Sequence, residues 1–326
     1  MTTQRGAARK LLALTLALGV TVGAAGCAGT ESGGGEEGKP RVGFVVINQE
    51  ALFFKELIRG AKKAAADNDV ELAITNGNND TTTQNNAVEN YTQQKLDAII
   101  VNPIDAKSIK PVIKSAKDAG VDVIAVDAVL NDPNVLTEVG TDNLESGREI
   151  GEFVNQWAEE NAQGKKLRIG QVAALSSTVQ IDRQKGFDMV VEKAGHKTVQ
   201  VVDGKNVQET ALQAAEDLIT GQGDRMDAVY ATGEPALLGT LAAAKSQKAT
   251  DRLAVFGWDL TKEAIAGIDD GYVEGIVQQD PYTEGVRAVE AAVKAANGET
   301  PEKRIAVPIT IVTKDNVDDF RGLFSD

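Results

Sequence analysis

Short runs rich in Val and Ile alternate with Ala-rich stretches from Arg41 onward. In the first half of the chain this pattern predicts four strands, at RVGFVVI, VELAIT, LDAIIVN and VDVIAVD, and helices near residues 52–67, 82–94 and 106–118. Apolar runs that alternate with helices are typical of βαβ units, whose parallel strands are joined by right-handed crossovers. The pattern therefore predicts an α/β fold with a doubly wound parallel sheet.

The second half of the chain repeats this pattern. Strands are predicted at KLRIGQVA, TVQVVD, MDAVYAT, RLAVFGWD and YVEGIVQQ, and helices near residues 179–194, 207–220, 235–247 and 261–269. LDAIIVNP in the first half has its counterpart in MDAVYATG, and Asp127 and Asp259 each end a strand. We therefore predict two similar lobes. The alternative is chance recurrence of a common strand-plus-Asp turn.

Asp127 and Asp259 are the first candidates for function. Ligands of open α/β sheets bind at the carboxyl ends of the strands, so two such edges facing one another would enclose a cleft. A carboxylate accepts hydroxyl donors through charge-assisted hydrogen bonds, and both aspartates are predicted to do so. Two alternatives remain open: each aspartate holds its own turn, or the pair serves as acid and nucleophile in glycoside hydrolysis.

Two adjacent phenylalanines begin the first predicted helix, in GFVVINQEALFFKEL at residues 43–57. Phe54 shares a helical stripe with Leu57 and Ala61, whereas Phe53 lies about 100° around the helix. The two rings can hardly enter the same core, so one is predicted to face the cleft, where a flat apolar ring suits the C–H face of a sugar. Boundary packing of both rings is the alternative.

Composition and charge exclude several classes of function. The chain has 326 residues and a net charge of −14, which argues for more than one core and against a nucleic-acid partner. It has one histidine, His196, predicted to be an exposed turn residue, and one cysteine, Cys27. These cannot form a Cys/His metal cluster, a disulfide framework or a thiol active site. We predict no metal, no cofactor and no catalysis.

The N-terminus has the pattern of an export signal over residues 1–26. Basic residues precede an apolar run that is too short for a membrane span of roughly 20 residues. Cys27 follows directly, which resembles a bacterial lipoprotein signal, although Ala24 stands where leucine is more usual. We predict lipidation of Cys27, a flexible tether over residues 27–40, and anchoring on the extracytoplasmic face of the cell membrane. Cleavage without lipidation is the alternative.

An ordered set of motifs carries a family resemblance: FF at the first helix, VIAVD, TDN at 141–143, RQKGF at 183–187, GWD at 257–259 and QQDP at 278–281. From about Arg41 to the end, the chain closely resembles the periplasmic sugar-binding proteins of ABC importers, in the ribose- and galactose-binding branch. The resemblance implies a monomer with the type I fold, whose chain crosses between lobes near 127–142, 279 and 308. The N-terminal lobe would comprise 41–141 plus about 280–307, and the C-terminal lobe 142–279 plus about 308–326.

The resemblance also implies a ligand site between the lobes. It places Phe53 and Phe54 against the sugar ring, Asp127 and Asp259 on hydroxyls, Arg183 on hydroxyls or the ring oxygen, Gln279 beside the ligand, and Trp258 as an added wall. Departures from the ribose-binding pattern are Ile47, Ala51, Ala128 and Gly233. Replacement contacts could come from Asn48, Gln49, Glu50, Lys55 or Glu234.

These departures disfavour ribose itself. The predicted ligand is a pentose, a pentitol such as xylitol, or a tetritol such as threitol, captured by hinge closure and delivered to a permease. Two other readings remain: an exported carbohydrate-processing enzyme, and a ligand-sensing lipoprotein that serves a chemoreceptor or sensor.

Overall fold

The computed structural model describes residues 39–50 and 52–324, which form two α/β lobes. The elements of the first lobe, in chain order, are β1 (Arg41–Val46), α1 (Leu52–Asp67), β2 (Glu71–Asn76), α2 (Thr81–Gln93), β3 (Ala98–Val101), α3 (Lys110–Asp118), β4 (Asp122–Val126) and β5 (Thr137–Gly140). The second lobe follows with α4 (Asn143–Asn161), β6 (Arg168–Ala173), α5 (Thr178–Val191), β7 (Lys197–Asp203), α6 (Gln208–Gln222), β8 (Ala228–Ala231), α7 (Glu234–Ser246), β9 (Ala254–Trp258), α8 (Lys262–Asp269) and β10 (Val273–Gln278). The remaining elements are α9 (Pro281–Ala296), β11 (Arg304–Ala306), β12 (Thr310–Val312) and short 3₁₀ turns at Gly223–Arg225, Val317–Asp319 and Arg321–Phe324.

The two sheets have the same strand order. It is β2-β1-β3-β4-β5-β11 in the first and β7-β6-β8-β9-β10-β12 in the second; β11 joins in parallel and β12 antiparallel. Equivalent aspartates brace both sheets, because the Oδ2 of Asp97 accepts from the backbone N–H of Arg41 (2.7 Å) and the Oδ2 of Asp227 from that of Arg168 (2.9 Å). The predicted fold class, two similar doubly wound lobes, is confirmed.

The chain passes between the sheets three times within the described residues. It leaves the first sheet after β5, returns after β10, and crosses again between β11 and β12. The parts of the chain that join the lobes are therefore residues 141–142, 279–280 and 307–309. Gln279 lies in the second of these segments.

The inner strands are buried on both faces because helices cover both sides of each sheet. All four residues of β3 and of β8 are buried, whereas the edge strands β2 and β7 are largely half-exposed. This is why the inner strands read as continuous apolar runs. The pattern missed β5, β11 and β12, which are only three or four residues long, and it missed α4 and α9, which follow crossings between the lobes.

Two helix pairs are held in close contact by glycine. Helix α4 packs on α5, and α9 packs on α1. A Cβ atom on Gly147 would overlap the carbonyl oxygen of Arg183, and one on Gly60 would overlap that of Tyr282. In both pairs, a helix that starts at a crossing packs closely against a helix that carries predicted site residues.

His196 differs from the prediction, since it is only 4% exposed. Its Nδ1 accepts from the backbone N–H of Leu167 (2.8 Å), and burial lowers its pKa. The histidine is therefore a neutral acceptor inside the fold.

In the part of the chain that the structure describes, no helix has the length and apolar character needed to cross a membrane.

Candidate functional site

A cleft of about 920 Å³ lies between the carboxyl ends of the strands of the two lobes. Residues from both lobes line it. Among the residues predicted from the sequence, the lining includes Phe53, Phe54, Asp127, Arg183, Asp259 and Gln279.

Asp127 and Asp259 occupy equivalent positions in the two lobes. They follow β4 and β9, and their backbone N–H groups donate to the carbonyl oxygens of Val139 and Val277, each at 2.8 Å. Both have left-handed backbone conformations, with φ of 52° and 64°. Aspartate tolerates this conformation better than most residues.

The side chains of these aspartates do not hold their own turns. In the described chain, the Oδ2 of Asp127 accepts from the Nδ2 of Asn102 (3.3 Å), and the Oδ1 of Asp259 accepts from the Nε2 of Gln279 (2.7 Å). Asp105 shows the contrast, since its Oδ1 accepts from the backbone N–H groups of Lys107 and Ser108 at 3.1 and 2.6 Å. The turn-holding alternative therefore does not describe the two cleft aspartates.

Arg183 is the cation at the base of the cleft and is only 5% exposed. Its Nε donates to the Oδ1 of Asn143 (2.8 Å) and its Nη1 to the carbonyl oxygen of Thr232 (3.2 Å). The Nη1 also lies 3.9 Å from the Oδ2 of Asp259. Burial lowers the pKa of Arg183, an effect opposed chiefly by the charge of Asp259.

The sequence predicts Trp258 as a wall of the cleft, but the structure buries it completely beneath Arg183. The guanidinium lies 3.7 Å from the centre of the indole ring. The Nε1 of Trp258 donates to the hydroxyl of Tyr230 (2.7 Å), and Tyr230 stacks on Phe187 with ring centres 4.0 Å apart. Every residue of β9 is buried, so this aromatic group supports the arginine from behind.

Charge is poorly compensated around Asp127. Burial raises its pKa to about 7; the nearby charge of Arg183 acts against this rise, and that of Asp259 adds to it. Glu284, in the first turn of α9, is fully buried, and its Oε1 accepts from the hydroxyl of Thr141 (3.3 Å). Burial, followed by the charge of Asp127, raises the pKa of Glu284 well above its usual value.

Phe53 and Phe54 both line the cleft and are both half-buried. Their ring centres are 5.4 Å apart and their planes are 83° apart, an edge-to-face contact. Each ring also packs against the core of the first lobe. Both rings therefore line the cleft and contact the core, where a single cleft-facing ring was predicted, because α1 begins at the lobe boundary.

Asn48 braces the loop between β1 and α1. Its Nδ2 donates to the Oδ1 of Asn79 (3.1 Å), and its Oδ1 accepts from the backbone N–H of Glu50 (3.0 Å). The structure thus places Asn48 in loop contacts, apart from the residues that line the cleft. Two further predictions, lipidation of Cys27 and the missing polar contact at Ala51, lie outside the described residues.

The far wall of the cleft contains residues that the sequence analysis did not single out. The Nε2 of Gln180 donates to the Oδ1 of Asn206 (2.7 Å), and its Oε1 accepts from the hydroxyl of Thr232 (2.7 Å). Gln180 lies one helical turn before Arg183, and Thr232 is the counterpart of Asn102 in the repeated segments. Both residues could therefore have been found from the sequence, Gln180 by its helical spacing from Arg183 and Thr232 by the repeat. Glu234, which the sequence analysis named as a possible replacement contact, also lines this wall.

The described side chains contain no group of three or more His, Cys, Asp or Glu residues placed to hold a metal ion.

The comparisons with known proteins all indicate the same family. The periplasmic binding protein domain matches residues 42–300. The ribose import binding protein of Bacillus subtilis is 29% identical over 87% of this chain and 90% of its own length. The xylitol-binding protein of Mycolicibacterium smegmatis is 28% identical over 95% of this chain and 87% of its own length.

A solved structure described as a periplasmic ribose ABC transporter from Conexibacter woesei superposes with a TM-score of 0.80 at 25% identity, covering 87% of this chain and 95% of that one. The chain belongs to the periplasmic binding protein family, and its predicted resemblance to the sugar-binding members of that family is confirmed.

Proposed function

We propose that this protein is the solute-binding lipoprotein of a carbohydrate ABC importer. It captures a monosaccharide or related polyol outside the cytoplasm and presents it to a permease. The observation that carries the proposal is the position of Asp127 and Asp259, because these equivalent carboxylates from the two lobes line the same cleft.

Capture would work by hinge closure. The lobes are joined by three short segments, and a ligand between them contacts both lobes fully only when the cleft is closed. Asp127 accepts hydroxyl donors from one side and Asp259 from the other, while Arg183 donates from the base. Phe53 and Phe54 cover the C–H face of the ligand.

A pentose, pentitol or tetritol remains the proposed ligand class. Relatives include a ribose import binding protein and a xylitol-binding protein, which supports a small polyhydroxylated ligand. Ala128 and Gly233 lack the polar side chains that the ribose-binding branch offers, which supports a contact set different from that for ribose. Lipidation of Cys27 would keep the loaded protein close to its permease.

A thermal-shift screen of the full-length protein, purified in mild detergent, tests the proposal. Pentoses, hexoses, pentitols and tetritols are compared at equal concentration. A true ligand at about 100 times its Kd stabilises the protein by about 2.7 kcal/mol. Product analysis of the same mixtures addresses the enzyme alternative, because a binding protein returns the ligand unchanged. If no sugar or polyol raises the melting temperature, the proposed function is wrong.

A further inference from the structure

The inner cleft has more negative charge than its cations balance. The carboxylates that line the cleft are Glu56, Asp127, Glu234, Asp259 and Asp280, and the cations are Arg59, Arg183 and Lys262. Of these, Glu56 is paired with Arg59 (2.5 Å), Asp280 accepts from the backbone N–H and the hydroxyl of Thr283, and Lys262 has a partner of its own. Among the described residues that line the cleft, Arg183 is then the cation available to balance Asp127, Glu234 and Asp259.

Arg183 cannot serve all three carboxylates. Its Nε and Nη1 donate to Asn143 and Thr232 within the second lobe, and its nearest approach to a cleft carboxylate is the 3.9 Å contact with Asp259. The pKa of Asp127 and that of Glu234 are raised, first by burial, and in both cases the charge of Asp259 adds to the rise. Before any ligand enters, the inner cleft therefore has more carboxyl groups than cations to pair with them, which favours uptake of a proton or a cation.

The hydrogen-bonding groups show the same imbalance independently of charge. Gln279 is 7% exposed, and its Nε2 donates to Asp259, so its Oε1 is left as an acceptor. That oxygen has no hydrogen-bond partner among the described residues. Gln279 thus adds an unsatisfied acceptor to a cleft that has three carboxyl groups beside Arg183, so a ligand that brings more donors than acceptors fits it best.

Hydroxyl groups meet this requirement poorly, because each brings one donor together with an acceptor oxygen. An ammonium group brings three donors, no acceptor and a positive charge. In the proposed closure of the lobes, Asp127 and Asp259 would approach one another, and like charges resist that approach unless a cation lies between them or one carboxyl takes up a proton.

We propose that the ligand is an amino-substituted sugar or polyol whose protonated amine lies between Asp127 and Asp259 and donates to the Oε1 of Gln279. This inference rests on the proposed function and narrows its ligand class. The hydroxyl groups of the ligand occupy the Arg183 side of the cleft, and its C–H face lies on Phe53 and Phe54.

Matched pairs of compounds test the inference by isothermal titration calorimetry at pH 7 on the full-length protein. Each pair differs by one amine in place of one hydroxyl: xylitol and 1-amino-1-deoxyxylitol, glycerol and 2-aminopropane-1,3-diol, D-ribose and 2-amino-2-deoxy-D-ribose. We expect the amine to bind about tenfold more tightly or better in at least one pair, because charge-assisted hydrogen bonds are stronger than neutral ones. Pentylamine, a cation without hydroxyl groups, should not bind detectably.

Variants locate the effect. Asp127→Asn and Asp259→Asn should each reduce the preference for the amine to about threefold or less, since each removes one carboxylate from the proposed ammonium site. Asp105→Asn makes the same change of charge in a turn away from the cleft lining and should leave the preference unchanged.

The outcomes separate this inference from the proposed function. If the hydroxyl compound binds as tightly as its amine in every pair that binds, the inference is overturned and the proposed function stands. Pentylamine binding as tightly as the polyol amines, or an unchanged preference in both cleft variants, would also overturn it. If no member of any pair binds, both ideas fail.

Discussion

Replacing Asp127 with asparagine should stabilise the unliganded protein while weakening ligand binding. The cause is the raised pKa of this carboxyl, about 7 in the folded protein against a usual value of 3.8. Between those two pH values the folded state binds more protons than the unfolded state, so the free energy of unfolding falls as pH rises. The loss is complete above pH 7 and absent below pH 4.

The magnitude follows from the size of this shift. About three pH units, at about 1.4 kcal/mol each, set an upper value of about 4 kcal/mol at pH 7.5. Water in the open cleft screens the charge and lowers the figure. Asparagine keeps an oxygen that can accept from Asn102, so the substitution removes the ionisation and preserves shape.

Urea unfolding followed by circular dichroism at pH 4 and pH 7.5 measures the effect. We expect Asp127→Asn to exceed the wild type in free energy of unfolding at pH 7.5 and to match it at pH 4. Asp105→Asn is the control; because hydrogen bonds from Ser108 lower the pKa of Asp105, that substitution should destabilise the protein at pH 7.5. The reasoning is refuted if Asp127→Asn is no more stable than the wild type at pH 7.5, or if its advantage is equal at both pH values.

Three further predictions concern other parts of the chain. Glu284→Gln should raise the free energy of unfolding at pH 7 but not at pH 4, because burial raises the pKa of this carboxyl; an equal effect at both pH values in urea titrations would count against this cause. Gly147→Ala should cost about 1–3 kcal/mol in the same titrations and weaken ligand binding by calorimetry, since its Cβ would push against α5, whereas Gly221→Ala, with open space around it, should do neither. Cys27→Ser should move the protein from the membrane fraction to the soluble fraction on immunoblots, while Ala28→Ser should not; retention of the serine variant at the membrane would disprove lipid anchoring there.

The repeated strand pattern was enough to predict the two lobes because the inner strands are apolar on both faces. The same property hid the position of Trp258: where every residue of a strand is buried, periodicity cannot tell which side chain faces a cleft. For Phe53 and Phe54, helical geometry predicted that the rings cannot share a core, but both pack against the core of the first lobe and touch edge to face. The position of the helix start relative to the opposite lobe, which decides their exposure, depends on tertiary contacts.

Glu284 illustrates a second limit of the sequence. An acidic residue in the first turn of a helix is common, since it interacts favourably with the helix dipole and is usually solvated. Here the first crossing covers that turn, and Thr141 supplies the hydrogen bond. A contact between residues 141 and 284 is set by the arrangement of the crossings, so the local pattern around Glu284 contains no sign of its burial.

The glycine contact between α4 and α5 has a consequence for how affinity can change. Helix α4 begins directly after the first crossing, and its Gly147 fits against the backbone of Arg183. In the proposed hinge closure, α4 and the part of α5 that carries Arg183 would therefore move as one body. We expect substitutions at the back of the hinge, out of reach of any solute, to alter dissociation rates as strongly as substitutions among the ligand contacts. Substitutions in the hinge would then change affinity while the ligand contacts, and with them the chemical selectivity, stay the same.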